Sequence, residues 1–165
     1  MLKNSLYDSY FRALRWASDR ISERGVISFV SNSSFVDGNS ADGVRLSLQE
    51  EFSQIFVFNL RGGVRGKMGD AAKREGGNVF PIMTGVAITV LVKDPEHSGT
   101  ADIFYAEVQD YATRQEKLDQ IGAYGSIEGS AGQTHSVPSH RTSTATGSAP
   151  ATNASRPSKR LEARH

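Results

Sequence analysis

Five cations, Arg61, Arg65, Lys67, Lys73 and Arg74, lie in one short segment whose acids are Asp70 and Glu75. Each cation could neutralise a nucleic-acid phosphate. The same segment, residues 61–85, carries seven glycines, which let backbone approach a phosphate closely. It has neither helical nor strand periodicity, and a loop of that length in a compact domain is either functional or mobile and solvated. Near its end Phe80 precedes Pro81, outside any element whose period would bury an aromatic. Its neighbourhood must explain it; a core plug closing the end of a sheet is one explanation.

Other chemistry is poorly represented. GGVRGKM at 62–68 has its glycines too close together for a phosphate loop, and Met68 stands where a magnesium-binding hydroxyl belongs. No G-x-G-x-x-G follows a strand. His97 falls in a turn and His135, His140 and His165 near the carboxyl terminus, a distribution of surface histidines rather than of a metal site or triad. Cysteine is absent, which removes disulfides, thiolate ligands and thiol nucleophiles and fits a reducing cytoplasm. The carboxylates read as solvated helix faces, so no catalytic pair and no metal ligand is assigned.

The elements that must position these residues follow from periodicity. Leu6, Tyr10, Leu14, Ala17 and Ile21 form one stripe of a helix over 5–23, with Gly25 as its stop signal. VISFV at 26–30 reads as a strand buried on both faces. Ligands of open α/β sheets gather at the carboxyl ends of such strands, so Asn32 and Phe35 are candidates for a cleft wall, or ordinary loop residues. Val44, Leu48 and Phe52 define a second helix over 42–54, capped by Asp42, before a strand at 55–60. VAITVLVK at 86–93 and TADIFYAEV at 100–108 are two more strands, which their tight connection predicts to be antiparallel neighbours. Thr113 and Glu116 make a capping-box pattern for a helix to about Tyr124. The order is that of an α/β domain with right-handed crossovers. The helix at 5–23 has no strand to cross over from, so an amino-terminal part of the sheet is expected elsewhere.

Composition changes at Ser126. Of the 40 residues that follow, counting Ser126, 25 are Ser, Thr, Ala, Gly or Pro and none is aromatic. Such a segment buries too little apolar surface to offset its ordering entropy. The expected organisation is a body over 1–125 and a disordered low-complexity tail over 126–165, a composition that an out-of-frame reading also produces. The tail holds five Lys or Arg against two Glu, a net +3, so with +1 for the chain the body stands at −2. Nucleic-acid affinity would therefore come from a local patch, not from overall charge. No stretch has the roughly eighteen apolar residues of a membrane span, and the amino terminus is no signal peptide, so a soluble, cytoplasmic chain is expected.

Two blocks carry a family resemblance: NSLYDSYFRALRWASDRISERGVISFVSNSSFVDGNSADGVRLSLQEEFSQIFVFNLRG and REGGNVFPIMTGVAITVLVK. From about Asn4 to Tyr124 the chain resembles the C-terminal half of the amino-group (adenine) DNA methyltransferase domain of single-polypeptide restriction-modification enzymes. The resemblance implies a partial Rossmann-like class I methyltransferase sheet, in which 26–30 is the fifth strand and 55–60 the sixth. It makes 86–93 an antiparallel seventh strand inserted between them. It also implies double-stranded DNA as partner, together with the missing N-terminal half of the domain, normally in the same chain.

The family's glycine-bearing turn for S-adenosylmethionine and its Asn-Pro-Pro-aromatic motif for the flipped adenine do not occur in these residues. S-adenosylmethionine is accordingly expected in the complete enzyme, and neither cofactor binding nor methyl transfer in this chain alone. A flipped base must be held between apolar or aromatic surfaces, and Phe80 matches the family's aromatic in the loop before the seventh strand. Stacking on a base thus stands beside the core plug as its role. The competing expectation for the whole chain is a non-catalytic α/β module, a decayed remnant that binds DNA or serves assembly.

Overall fold

A computed structural model describes residues 9–37, 41–127, 129 and 135–136. Helix α1 (Ser9–Ser18) leads into strand β1 (Gly25–Asn32), then the single-turn helix α2 (Ser34–Asp37) and helix α3 (Asp42–Glu51). Strand β2 (Gln54–Arg61), helix α4 (Gly69–Arg74), strands β3 (Val86–Lys93) and β4 (Asp102–Glu107) and helix α5 (Arg114–Tyr124) follow, with a two-residue strand β5 (His135–Ser136).

The strands form one mixed open sheet in the order β1-β3-β2-β4-β5. Strand β3 is antiparallel to β1 on one side and to β2 on the other. Strand β4 runs parallel to β2, so β1, β2 and β4 share a direction. The expected antiparallel hairpin of the last two strands is therefore wrong. The turn at 94–101 is short, but β3 is apolar enough to lie between two strands, whereas β4, with its mixed burial, takes a position outside β2. The insertion between 26–30 and 55–60 is the arrangement the family resemblance implied.

Alternation along the strands divides the core. Ile27, Ile55, Val57, Ala87 and Leu91 join Leu48 and Phe52 in one cluster, against which Leu14, Ala17 and Ile21 pack. Phe58, Leu60, Val86, Ala106 and Val108 form the other, with Val79, Ile121 and Tyr124. The Tyr124 ring meets Phe58 edge-on at 5.0 Å between centroids.

Local expectations are corrected at three places. Helix α1 ends at Ser18, and Gly25 is no helix stop: it opens β1, where a Cβ would lie 2.6 Å from the Ile21 side chain. Asp42 does not cap α3; Ala41 holds that position and Asp42 pairs with Arg45 instead. The segment 61–85 is not devoid of regular structure, since it contains α4. The capping box is present, with Thr113 Oγ1 accepting from the Glu116 amide and the Glu116 carboxylate from the Thr113 amide. Residues 5–8 and nearly all of the tail lie outside the described residues.

Candidate nucleic-acid interface

The segment of interest leaves the carboxyl end of β2 and re-enters the sheet at β3. Val86 is the register partner of both Asn32 and Arg61. The ends of β1 and β2 therefore flank its return point, at the edge where open α/β sheets collect ligands. The exit is bent by a bulge between Asn59 and Arg61. Asn59 Oδ1 accepts the Arg61 amide at 2.9 Å, and Arg61 adopts a left-handed φ of 55°. That conformation is costly for a residue with a side chain. It is held by an ion pair to Asp110 and by Glu75, 3.8 Å away.

Buried groups then fasten the segment. Glu75 is buried; its carboxylate accepts the Gly63 amide at 3.1 Å and pairs with Lys67. Burial opposes ionisation of this carboxyl, but Lys67, the Gly63 amide and Arg61 together outweigh it and hold its pKa below the ordinary value. Lys117 of α5 has 0% exposure and donates from Nζ to the carbonyls of Leu60 and Glu75, each at 2.8 Å. Burial lowers its pKa, with the Glu75 carboxylate opposing and Arg61 reinforcing that shift. Helix α4 is tied down by Tyr111, whose hydroxyl donates to Asp70 and whose amide donates to the Arg74 carbonyl.

Asn78 closes the far end. Its Nδ2 lies 3.0 Å from the carbonyl of Gly62, 3.0 Å from that of Ile82 and 2.9 Å from that of Thr84. Its Oδ1 accepts the Phe80 amide at 3.0 Å. Val79 points into the core and Arg114 Nε donates to its carbonyl at 3.1 Å, so the aromatic next to it faces outward. Phe80 is 48% exposed, which rules out the core plug; Val79 is the residue that closes the core here.

The five predicted cations separate into two groups. Arg61 is largely covered and paired to Asp110 and Glu75, Lys67 to Glu75, and Arg74 to Asp70 at 2.8 Å and Asp110 at 3.9 Å. Arg65 and Lys73 are exposed and enter no ion pair among the described residues. Asn32 makes a local turn before α2, its Oδ1 accepting the Ser34 amide at 3.2 Å. Phe35 packs against the core, and its carbonyl accepts from Arg45 at 2.7 Å. The crevice that Asn32 and Phe35 share with Tyr10, Phe11 and Thr89 has about 20 Å³, room for one water and not for a base.

Glu75, Asn78, Asp110, Tyr111 and Lys117 are the residues that sequence reasoning missed. Asn78, between a glycine pair and an apolar pair, carried a turn signal; Lys117 carried none. The glycines at the exit of β2 are no cradle for S-adenosylmethionine. A Cβ on Gly62 would meet Asn78 at 2.9 Å, and one on Gly63 would meet the Gly85 amide nitrogen at 2.9 Å, so both are filled by the chain itself. The described residues offer no cradle for that cofactor at this turn. They also contain no group of three or more His, Cys, Asp or Glu placed to hold a metal, and no helix long and apolar enough to cross a membrane.

No family model and no curated protein matches the chain. Solved structures do. It is similar to the ATP-dependent Type ISP restriction-modification enzyme LlaBIII bound to DNA, at 47% identity over 82% of the chain and a TM-score of 0.79. A nuclease-deletion mutant of the Type ISP enzyme LlaGI, in complex with a DNA substrate mimic, matches at 44% over 75% with a TM-score of 0.70. The DrdV-DNA complex matches at 41% over 72% with a TM-score of 0.66. The chain spans only 9%, 12% and 11% of those proteins, respectively.

Proposed function

We propose that this chain, homologous over most of its length to a segment of Type ISP restriction-modification enzymes, is the C-terminal half of their adenine-amino DNA methyltransferase domain. The observation that carries this reading is Phe80. It is an exposed aromatic on a backbone fixed by Asn78, at the sheet end where the antiparallel strand enters between its two neighbours. A base taken out of the duplex needs such a face to rest on.

In this reading Phe80 stacks on the flipped adenine, while Arg65 and Lys73 contact phosphates and set the register of the duplex. Asn32 and Phe35 shape the same sheet end from behind, without themselves lining a space that a base could enter. Arg61, Lys67 and Arg74 act on the DNA through the loop they brace. S-adenosylmethionine would supply the methyl group from a site in the other half of the domain. The residues here position the base and perform no step on the donor.

The test is a chimera in which this chain replaces the homologous segment of LlaBIII, assayed for transfer of labelled methyl groups to adenine in duplex DNA. Transfer is expected. A folded chimera that binds DNA but never methylates, beside an active unaltered enzyme, would leave the non-catalytic DNA-binding module as the better description.

A further inference from the structure

Beyond Phe80, the tip of the same loop exposes Pro81, Ile82 at 48% and Met83 at 59%. Single exposed apolar residues are ordinary, but consecutive large ones on a fixed backbone are not. This backbone is fixed. The Ile82 amide donates to the Phe80 carbonyl at 2.8 Å across Pro81, and the Ile82 carbonyl accepts from Asn78. The Met83 carbonyl accepts the amides of Val64 at 3.0 Å and Arg65 at 3.2 Å. The apolar tip cannot fold back onto the core, where Val79 already stands.

The hydrogen bond from the Arg65 amide to the Met83 carbonyl also brings to that tip a residue whose cation enters no ion pair among the described residues. An apolar point flanked by free positive charge suits a polyanion with an apolar interior, which describes a duplex. Ile, Met, Phe and Pro are the side chains that proteins drive between base steps. We propose that Ile82 and Met83 form a wedge that enters the base stack and fills the space a base leaves when it is extruded. The inference rests on the reading above in taking duplex DNA as partner. It assigns separate work to neighbouring residues: Phe80 holds the base, and Ile82 and Met83 hold the gap.

A duplex with a ready-made gap spares the wedge the work of unstacking. Fluorescence anisotropy with the full chain would compare two duplexes identical except that one carries an abasic site in place of an adenine. The unmodified chain should bind the abasic duplex about tenfold more tightly or better, the scale set by sparing the unstacking cost. The double variant Ile82→Ser, Met83→Ser should lose that preference while keeping its melting temperature and the salt dependence of binding. Met83→Gln, a milder change at the same tip, should weaken it in part.

No preference in the unmodified chain, an equal preference in the double variant, or no binding to either duplex would overturn the wedge. An affinity for both duplexes that is unchanged in the double variant would likewise overturn it. The ratio is read without methylation, so its failure is separate from a failure of the chimera to methylate.

Discussion

The Asn78 carboxamide oxygen holds the Phe80 amide at 3.0 Å, while its nitrogen reaches the carbonyls of Gly62, Ile82 and Thr84. One side chain thus ties both ends of a long loop together and fixes the backbone of the aromatic it displays. Asn78→Ala leaves those groups without a partner, at a cost of about 1–3 kcal/mol. The expected result is a lower melting temperature, with faster amide exchange concentrated in 78–84. Unchanged exchange there would show that the loop is held by something else.

Glu75 makes the same loop sensitive to acid. Burial opposes its ionisation, but Lys67, the Gly63 amide and Arg61 outweigh burial and bring the folded pKa below the ordinary 4.5. A depressed carboxyl pKa contributes stability that is present above the unfolded value and lost as pH falls through the folded one. Glu75→Gln should therefore be less stable than the unmodified chain at neutral pH, and the difference should shrink as pH falls below 4.5. Denaturant midpoints measured across that range would decide it; a gap that widened in acid would contradict the assignment.

Lys117 has the opposite sign. Burial lowers its pKa below the ordinary 10.5, so between the folded value and 10.5 the unfolded chain carries more protons and stability rises with pH. Lys117→Met removes the bonds to Leu60 and Glu75, each worth about 1.5–3 kcal/mol for a charged donor. It should melt well below the unmodified chain at neutral pH, with the gap growing toward 10.5. A gap that closed at alkaline pH would contradict this.

The division among the cations can be read from salt. Arg65→Gln with Lys73→Gln should flatten the dependence of DNA affinity on salt, by about 0.9 in log–log slope for each phosphate no longer neutralised. Stability should stay unchanged. Arg61→Gln should do the reverse, because Arg61 braces Asp110 and Glu75. Binding titrations at several salt concentrations, beside melting curves, separate the two classes.

Much of the scaffold was legible because its signals are local. The run VAITVLVK, the Thr113–Glu116 capping pair and the stripe through Leu14, Ala17 and Ile21 each specify an element from neighbouring residues alone. Strand order was not local: the tight turn at 94–101 suggested a hairpin, and only the family resemblance placed β3 between β1 and β2. Helix α4 escaped notice because six residues, GDAAKR, have no apolar face; the Asp70–Arg74 pair and Tyr111 hold it in place. Phe80 was found by its odd position, and the cations by type. Which of them are consumed by Glu75, Asp70 and Asp110 depends on pairings distant in sequence. Lys117 looked like any solvated lysine on a polar helix, and its burial follows from the loop folding over α5.

The central claim is that Phe80 serves a base and not the core, and Phe80→Ala in the LlaBIII chimera tests it most directly. Base–aromatic stacking is worth about 1–3 kcal/mol and is realised only after the base has left the duplex. Because the side chain is half exposed, the melting temperature should barely move. Methylation should fall by about tenfold or more while DNA affinity is kept. A stable variant that methylates normally would contradict the account, as would a loss of about 3–5 kcal/mol of stability, the mark of a core aromatic.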